Sequence, residues 1–132
     1  MAVRRINPES LHSLPDLFTH VVTVTDAELV FLSGQVAWDA NGDLVGKGDH
    51  AAQAAQIARN IEAALAAAGA TPADIVKQTI YVVDYTPDVA SAIFAALAEG
   101  RPEPPASTLI AVPALFAPDY LIEVEVIAAV RR

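Results

Sequence analysis

PPASTLIAVPALFAPDYLIEVEVIAAV, residues 104–130, decides how the chain folds. It reads as two strands, about Ser107–Val112 and Leu121–Val130, closing the chain as a β-hairpin around a loop that holds Pro113 and Pro118. In a strand, successive side chains point to opposite faces. Ile122, Val124, Val126, Ala128 and Val130 therefore share one face, and Leu121, Glu123, Glu125, Ile127 and Ala129 the other. Two carboxylates lie together on a strand too apolar for an ordinary solvated edge. That face needs water or a partner carrying polar groups.

Upstream, Met1–Pro15 reads as a lead-in poor in strand signals. Thr19–Thr25 and Leu29–Trp38 are rich in β-branched and aromatic residues and read as strands, with a hairpin turn at Asp26-Ala27-Glu28. Asn41-Gly42 tolerates positive φ and predicts a second small hairpin between 36–40 and 43–45. Asp49 is an N-cap for a helix over about His50–Ala68, whose apolar stripe is Ile57, Ile61 and Leu65 and whose stop is Gly69. Thr71-Pro72-Ala73-Asp74 predicts one helical turn before a strand at Ile75–Val83. Thr86-Pro87-Asp88 opens a second helix, which Gly100 ends.

This order predicts an α+β domain over residues 1–132, one mixed sheet with both helices on one face. The second sheet face is left without cover from its own chain. With Val30, Leu32, Gly34 and Val36 taken as the helix-facing set, alternation sends Phe31, Ser33 and Gln35 to the other side. It collects Ser33, Gln35, Lys77, Thr79, Tyr81, Ser107, Glu123 and Glu125 on the open side, among Phe31, Leu109 and Ile127. Gln78 fits poorly as the helix-facing neighbour this assigns. The mixture is more polar than a core and more apolar than a solvated surface, as expected of a subunit interface enclosing a small polar site.

Composition narrows the functions. The hydrophobic fraction is 54% with no apolar run able to span a bilayer, so the excess points to surface hidden in an oligomer. Arg4 and Arg5 are followed by polar INPES rather than a signal-like apolar segment, which makes the cytoplasm the expected compartment and a membrane an unexpected partner. There is no Cys, which excludes disulfides and thiolate chemistry. Net charge is −8 and the eight bases are scattered, so no basic patch supports nucleic-acid binding. His12, His20 and His50 have no metal-ligand spacing, and His20 reads as a structural hydrogen-bonding residue. Glu123 is a candidate general base or water-positioning group. The competing reading pairs Glu123 and Glu125 with Lys77 or an Arg across an interface.

The ordered set Phe18-Thr19-His20, Phe31-Leu-Ser-Gly-Gln35, Asp74-Ile-Val-Lys77, Tyr81-Val-Val-Asp84, Pro105-Ala-Ser-Thr-Leu109 and Ile122-Glu-Val-Glu-Val126 resembles the RidA/YjgF family from about residue 14 to 130. The resemblance implies a chorismate-mutase-like fold and a homotrimer with a central barrel. It also implies three small-molecule metabolite sites between subunits, with no metal and no cofactor. Archetypal members hydrolyse enamines and imines to 2-oxo acids and ammonia, using an Arg that grips the substrate carboxylate, a Tyr and a Glu. Glu123 matches that acid, Phe18 falls at the Tyr and Ser107 at the Arg. Ser107, Thr108, Phe18, Gln35 and Tyr81 are the implied substrate-binding residues. Ser cannot reproduce a bidentate guanidinium–carboxylate fork, so the archetypal deaminase activity is expected to be weak. Arg101, close by in sequence, is the alternative cation. Two functions stay open, hydrolysis of an enamine or imine and non-catalytic metabolite binding. The net charge opposes a third, endoribonuclease or translation inhibition, known from older descriptions of the family.

Overall fold

The computed structural model describes residues 1–131. Strands β1 (Ala2–Ile6) and β2 (Val21–Thr25) form an antiparallel two-stranded sheet. A five-stranded mixed sheet contains β3 (Glu28–Phe31), β4 (Gln35–Val36), β5 (Ile75–Val82), β6 (Ala106–Ala111) and β7 (Ile122–Val130). Its order is β3-β7-β5-β6, with β4 also on β7; β5–β6 is the parallel pair and the other pairs are antiparallel.

Helix α1 (His50–Ala67) begins where Asp49 Oδ1 accepts from Ala52 N at 3.0 Å, and the chain leaves it through Gly69 at φ 74°. The side chain spares an orphan amide at the first turn, and glycine accepts the left-handed exit without a Cβ clash. Thr71 N donates to Asp74 Oδ2 at 2.8 Å in the single 3₁₀ turn before β5. Helix α2 (Pro87–Leu97) then connects β5 to β6. Ile57, Ile61 and Leu65 of α1 and Ile93 and Leu97 of α2 share one core with Ile80, Val82, Ile122, Val124 and Val126. Both helices therefore cover the same sheet face. No helix among the described residues is long and apolar enough to cross a membrane.

Four expectations change. The N-terminus carries a strand, because β1 finds its antiparallel partner in β2, Ala2 opposite Thr25 and Ile6 opposite Val21. Asp26, at φ 51°, does not close a hairpin between β2 and β3; it carries the chain from the small sheet to the large one. The closing strands are not a hairpin either. β5 lies between β6 and β7, so the proline-bearing loop crosses the end of a strand.

The fourth change concerns 29–38, which is interrupted. Phe31 opposes Ile127, but Gln35 opposes Val124 and Val36 opposes Glu123, a slip of one residue between the two pairings. One extra residue inverts the alternation beyond it. Gln35 thus opposes a helix-facing residue, and Val36 shares its register with the acid. Asn41-Gly42 turns as expected, with Gly42 at φ 83° and a single bridge between Trp38 and Leu44.

Candidate functional site

The β7 alternation holds. Ile122, Val124 and Val126 are buried beneath the helices, whereas Glu123 is half-buried and Glu125 exposed on the reverse face. β5 contributes Lys77, Thr79 and Tyr81 to that face, with Tyr81 opposite Glu123 and Thr79 opposite Glu125. Phe31 closes one side, 69% exposed, and a shallow hollow of 240 Å³ runs among Phe31, Lys77, Thr79, Glu125 and Ile127. The open face anticipated from the sequence exists.

Glu123 is set by its neighbours rather than by an ion pair. A Cβ on Gly34 would overlap Glu123 Oε2, so the carboxylate occupies space that only glycine leaves free. Among the described residues no ion pair reaches Glu123 or Glu125. Lys77 Nζ instead donates to Thr108 Oγ1 at 2.8 Å. Tyr81 OH donates to Glu125 Oε1 at 3.0 Å. That hydrogen bond is the main cause holding the Tyr81 phenol above its ordinary pKa, followed by desolvation and the negative charges of Glu125 and Glu123.

The start of β7 is fixed from α1. Gln53 is buried; its Oε1 accepts from Leu121 N at 2.9 Å, and its Nε2 donates to Asp119 O at 2.9 Å and Gly46 O at 3.2 Å. A buried amide with its groups satisfied holds a backbone register well. This clamp lies beside the expected apolar stripe, and in the sequence Gln53 resembles any other helix glutamine.

Ser107 lies on the other side. In the parallel register Ser107 pairs with Gln78 and Thr108 with Thr79. Gln78 is 2% exposed, and its Nε2 donates to Ser107 Oγ at 3.2 Å. Arg101 Nη1 donates to Gln78 Oε1 at 2.5 Å. Ser107 and Leu109 therefore belong to the helix-facing side, and Thr108 and Ile110 to the open one, the reverse of the expected phase. The poor fit of Gln78 as a core residue was the sequence signal: it is buried as one link of a polar chain.

The remaining expected residues are dispersed. Phe18 packs edge-on to His20, with ring centroids 4.9 Å apart. Beside it Thr19 Oγ1 donates to Pro104 O at 2.6 Å, docking the segment onto the connector that leads to Ser107. His20 Nε2 lies 2.7 Å from His12 O, a structural contact. Gln35 Nε2 donates to Ser33 O at 3.0 Å, and Gln35 lines a hollow with Trp38 and Asn60, away from the acids. Within one chain, then, Glu123, Tyr81 and Thr108 gather on the open face, Ser107 and the Phe18 segment gather near the connector, and Gln35 stands apart.

A helix-backed mixed sheet with acids on its bare face defines a class of small α+β protein. The sequence profile of the family described as Endoribonuclease L-PSP matches residues 14–130, and the chain belongs to that family, the Rid or YjgF family. The Rid-family protein YyfB of Yersinia pestis is 42% identical, covering 98% of this chain and 100% of its own, with a TM-score of 0.90. A Mycobacterium tuberculosis member of the YjgF/YER057c/UK114 family is 32% identical over 85% of this chain and 86% of its own, with a TM-score of 0.57. Protein DfrA of Myxococcus xanthus is 31% identical over 84 residues; the match spans 64% of this chain and 64% of DfrA.

Proposed function

We propose that the chain assembles as a homotrimer through its open sheet faces, and that clefts between neighbouring subunits bind a small metabolite beside Glu123. The observation that carries this reading is the Glu123 carboxylate, free of any described ion pair and seated over Gly34 on an acid-bearing face that its own chain leaves bare. In such a cleft Glu123 takes a proton from water as the water oxygen adds to the carbon of an enamine-derived imine. That proton passes to nitrogen to give a carbinolamine; Glu123 then relays the hydroxyl proton to the amine, the carbon–nitrogen bond breaks as the carbonyl forms, and the products are a carbonyl compound and ammonia. A positioned carboxylate contributes about 10²–10⁴-fold to such proton transfers.

Ser107, facing Gln78, supplies no guanidinium, which supports slow hydrolysis of 2-imino acids and keeps non-catalytic metabolite binding as the second reading. Endoribonuclease action is disfavoured by the net charge of −8 and the scattered bases. The test is Glu123→Gln, followed by turnover of a freshly generated imine and by ligand affinity. An enzyme loses about 10²-fold or more in turnover and keeps its affinity. Wild-type protein that binds but turns nothing over selects the binding module, and undiminished turnover in the variant contradicts the role given to Glu123.

A further inference from the structure

Helix α1 carries a second stripe beside its apolar one. Gln53, Gln56 and Asn60 recur at i, i+3 and i+7 and so share a face of the helix. Gln53 holds the start of β7 through Leu121 N, two residues before Glu123. Asn60 does the equivalent for β4. Its Nδ2 donates to Val36 O at 3.0 Å and to Trp38 O at 2.9 Å, and its Oδ1 accepts from Gln56 Nε2 at 2.9 Å. Gln56 Oε1 in turn accepts from Arg59 Nη2 at 2.7 Å. Every polar atom of the Asn60 amide thus has a partner, which fixes its orientation.

β4 needs such an anchor. It pairs with β7 only through Gln35–Val124 and Val36–Glu123, and so short a ladder specifies its register weakly. β3, just upstream, runs one residue out of step with it along the same strand. Continuing the β3 register would set Gln35, not Val36, opposite Glu123 and would shift Gly34 along β7. The register adopted keeps Gly34 beside the Glu123 carboxylate, where any Cβ would overlap Oε2. Two anchors about 10 Å apart along α1 therefore hold the two strands that meet at Glu123. We propose that Asn60 and Gln53 are positioning residues for Glu123: from the helix side of the sheet they fix β4 and β7 in the register that seats its carboxylate over Gly34. Neither moves a proton. The assignment rests on the role proposed for Glu123 and explains how its geometry is kept, since a misplacement of about 1 Å can cost on the order of 10²-fold in rate.

The experiment replaces Asn60 with Asp, which keeps the shape of the amide but at neutral pH donates nothing to the two carbonyls. For a freshly generated imine, Asn60→Asp should lower kcat about 10²-fold and leave KM within about threefold. In the Glu123→Gln background the same substitution should cost less than about twofold more, because the group it positions is gone. Ile61→Val, which trims the core on the same helix and leaves β4 alone, should change neither kcat nor KM. Two NMR signals need no substrate: the Gly34 amide and the Glu123 carboxyl carbon should move in Asn60→Asp and stay in place in Ile61→Val. Should Asn60→Asp fail to fold, Gln56→Met removes the donor that orients Asn60 and should give the same pattern at about tenfold. An equal loss with and without Glu123, a rise in KM alone, or unmoved Gly34 and Glu123 signals would each overturn the proposal. Undiminished turnover in Glu123→Gln, with both signals displaced in Asn60→Asp, would count against the reaction proposed for Glu123 and still support the positioning.

Discussion

On one face of the large sheet Ile80, Val82, Val124 and Val126 are sealed beneath α1 and α2; one residue along the same strands, Tyr81, Glu123 and Glu125 stand half-buried or exposed beside Phe31. The two faces share a backbone and differ in what covers them. The covered face carries stability, because apolar area is removed from water there. The bare face carries an ungrouped set of acids and an exposed aromatic ring, an arrangement of little use to a monomer's stability.

Breaking the covered face should have the largest effect. Ile61→Ala opens a cavity at the centre of the core and should cost about 2–5 kcal/mol in chemical denaturation. Gly34→Ala works on the bare face. Its new Cβ would displace the end of the flexible Glu123 side chain rather than backbone, so turnover should fall about 10²-fold while stability moves by less than about 1 kcal/mol. A loss of several kcal/mol would instead make Gly34 structural and blur the distinction between the faces.

The smallest effect is in pH. The Tyr81 phenol is raised above 10.0 chiefly by its hydrogen bond to Glu125, so its neutral form is favoured in the folded state. That contribution is fully present below 10.0 and is lost as pH rises through the raised value. In phenolate absorbance, the step missing from Tyr81→Phe should lie above 10, and it should fall toward 10 in Glu125→Gln.

The covered face was the legible one. Ile57, Ile61 and Leu65 at helical spacing between Asp49 and Gly69 specify α1, and strict alternation in 122–130 gives the phase of β7. β6 had no such signal, since ASTLIA does not alternate; its phase comes from the register with β5, where Ser107 meets Gln78. The slip between Phe31 and Gln35 was hidden for a related reason. LVFLSGQV reads as continuous strand, and only the pairing with β7 shows the extra residue that sends Gln35 to the other side. Residues 2–6 are too short and polar to announce a strand without β2. Glu123 was accessible from local pattern, whereas Gln53 and Arg101 acquire meaning only from partners distant in sequence.

Sedimentation equilibrium of the purified protein tests the central claim, that the bare face is a subunit interface enclosing Glu123, most directly. The expected mass is three times the 13.8 kDa of one chain. A single species at 13.8 kDa, unchanged across micromolar concentrations, would contradict it.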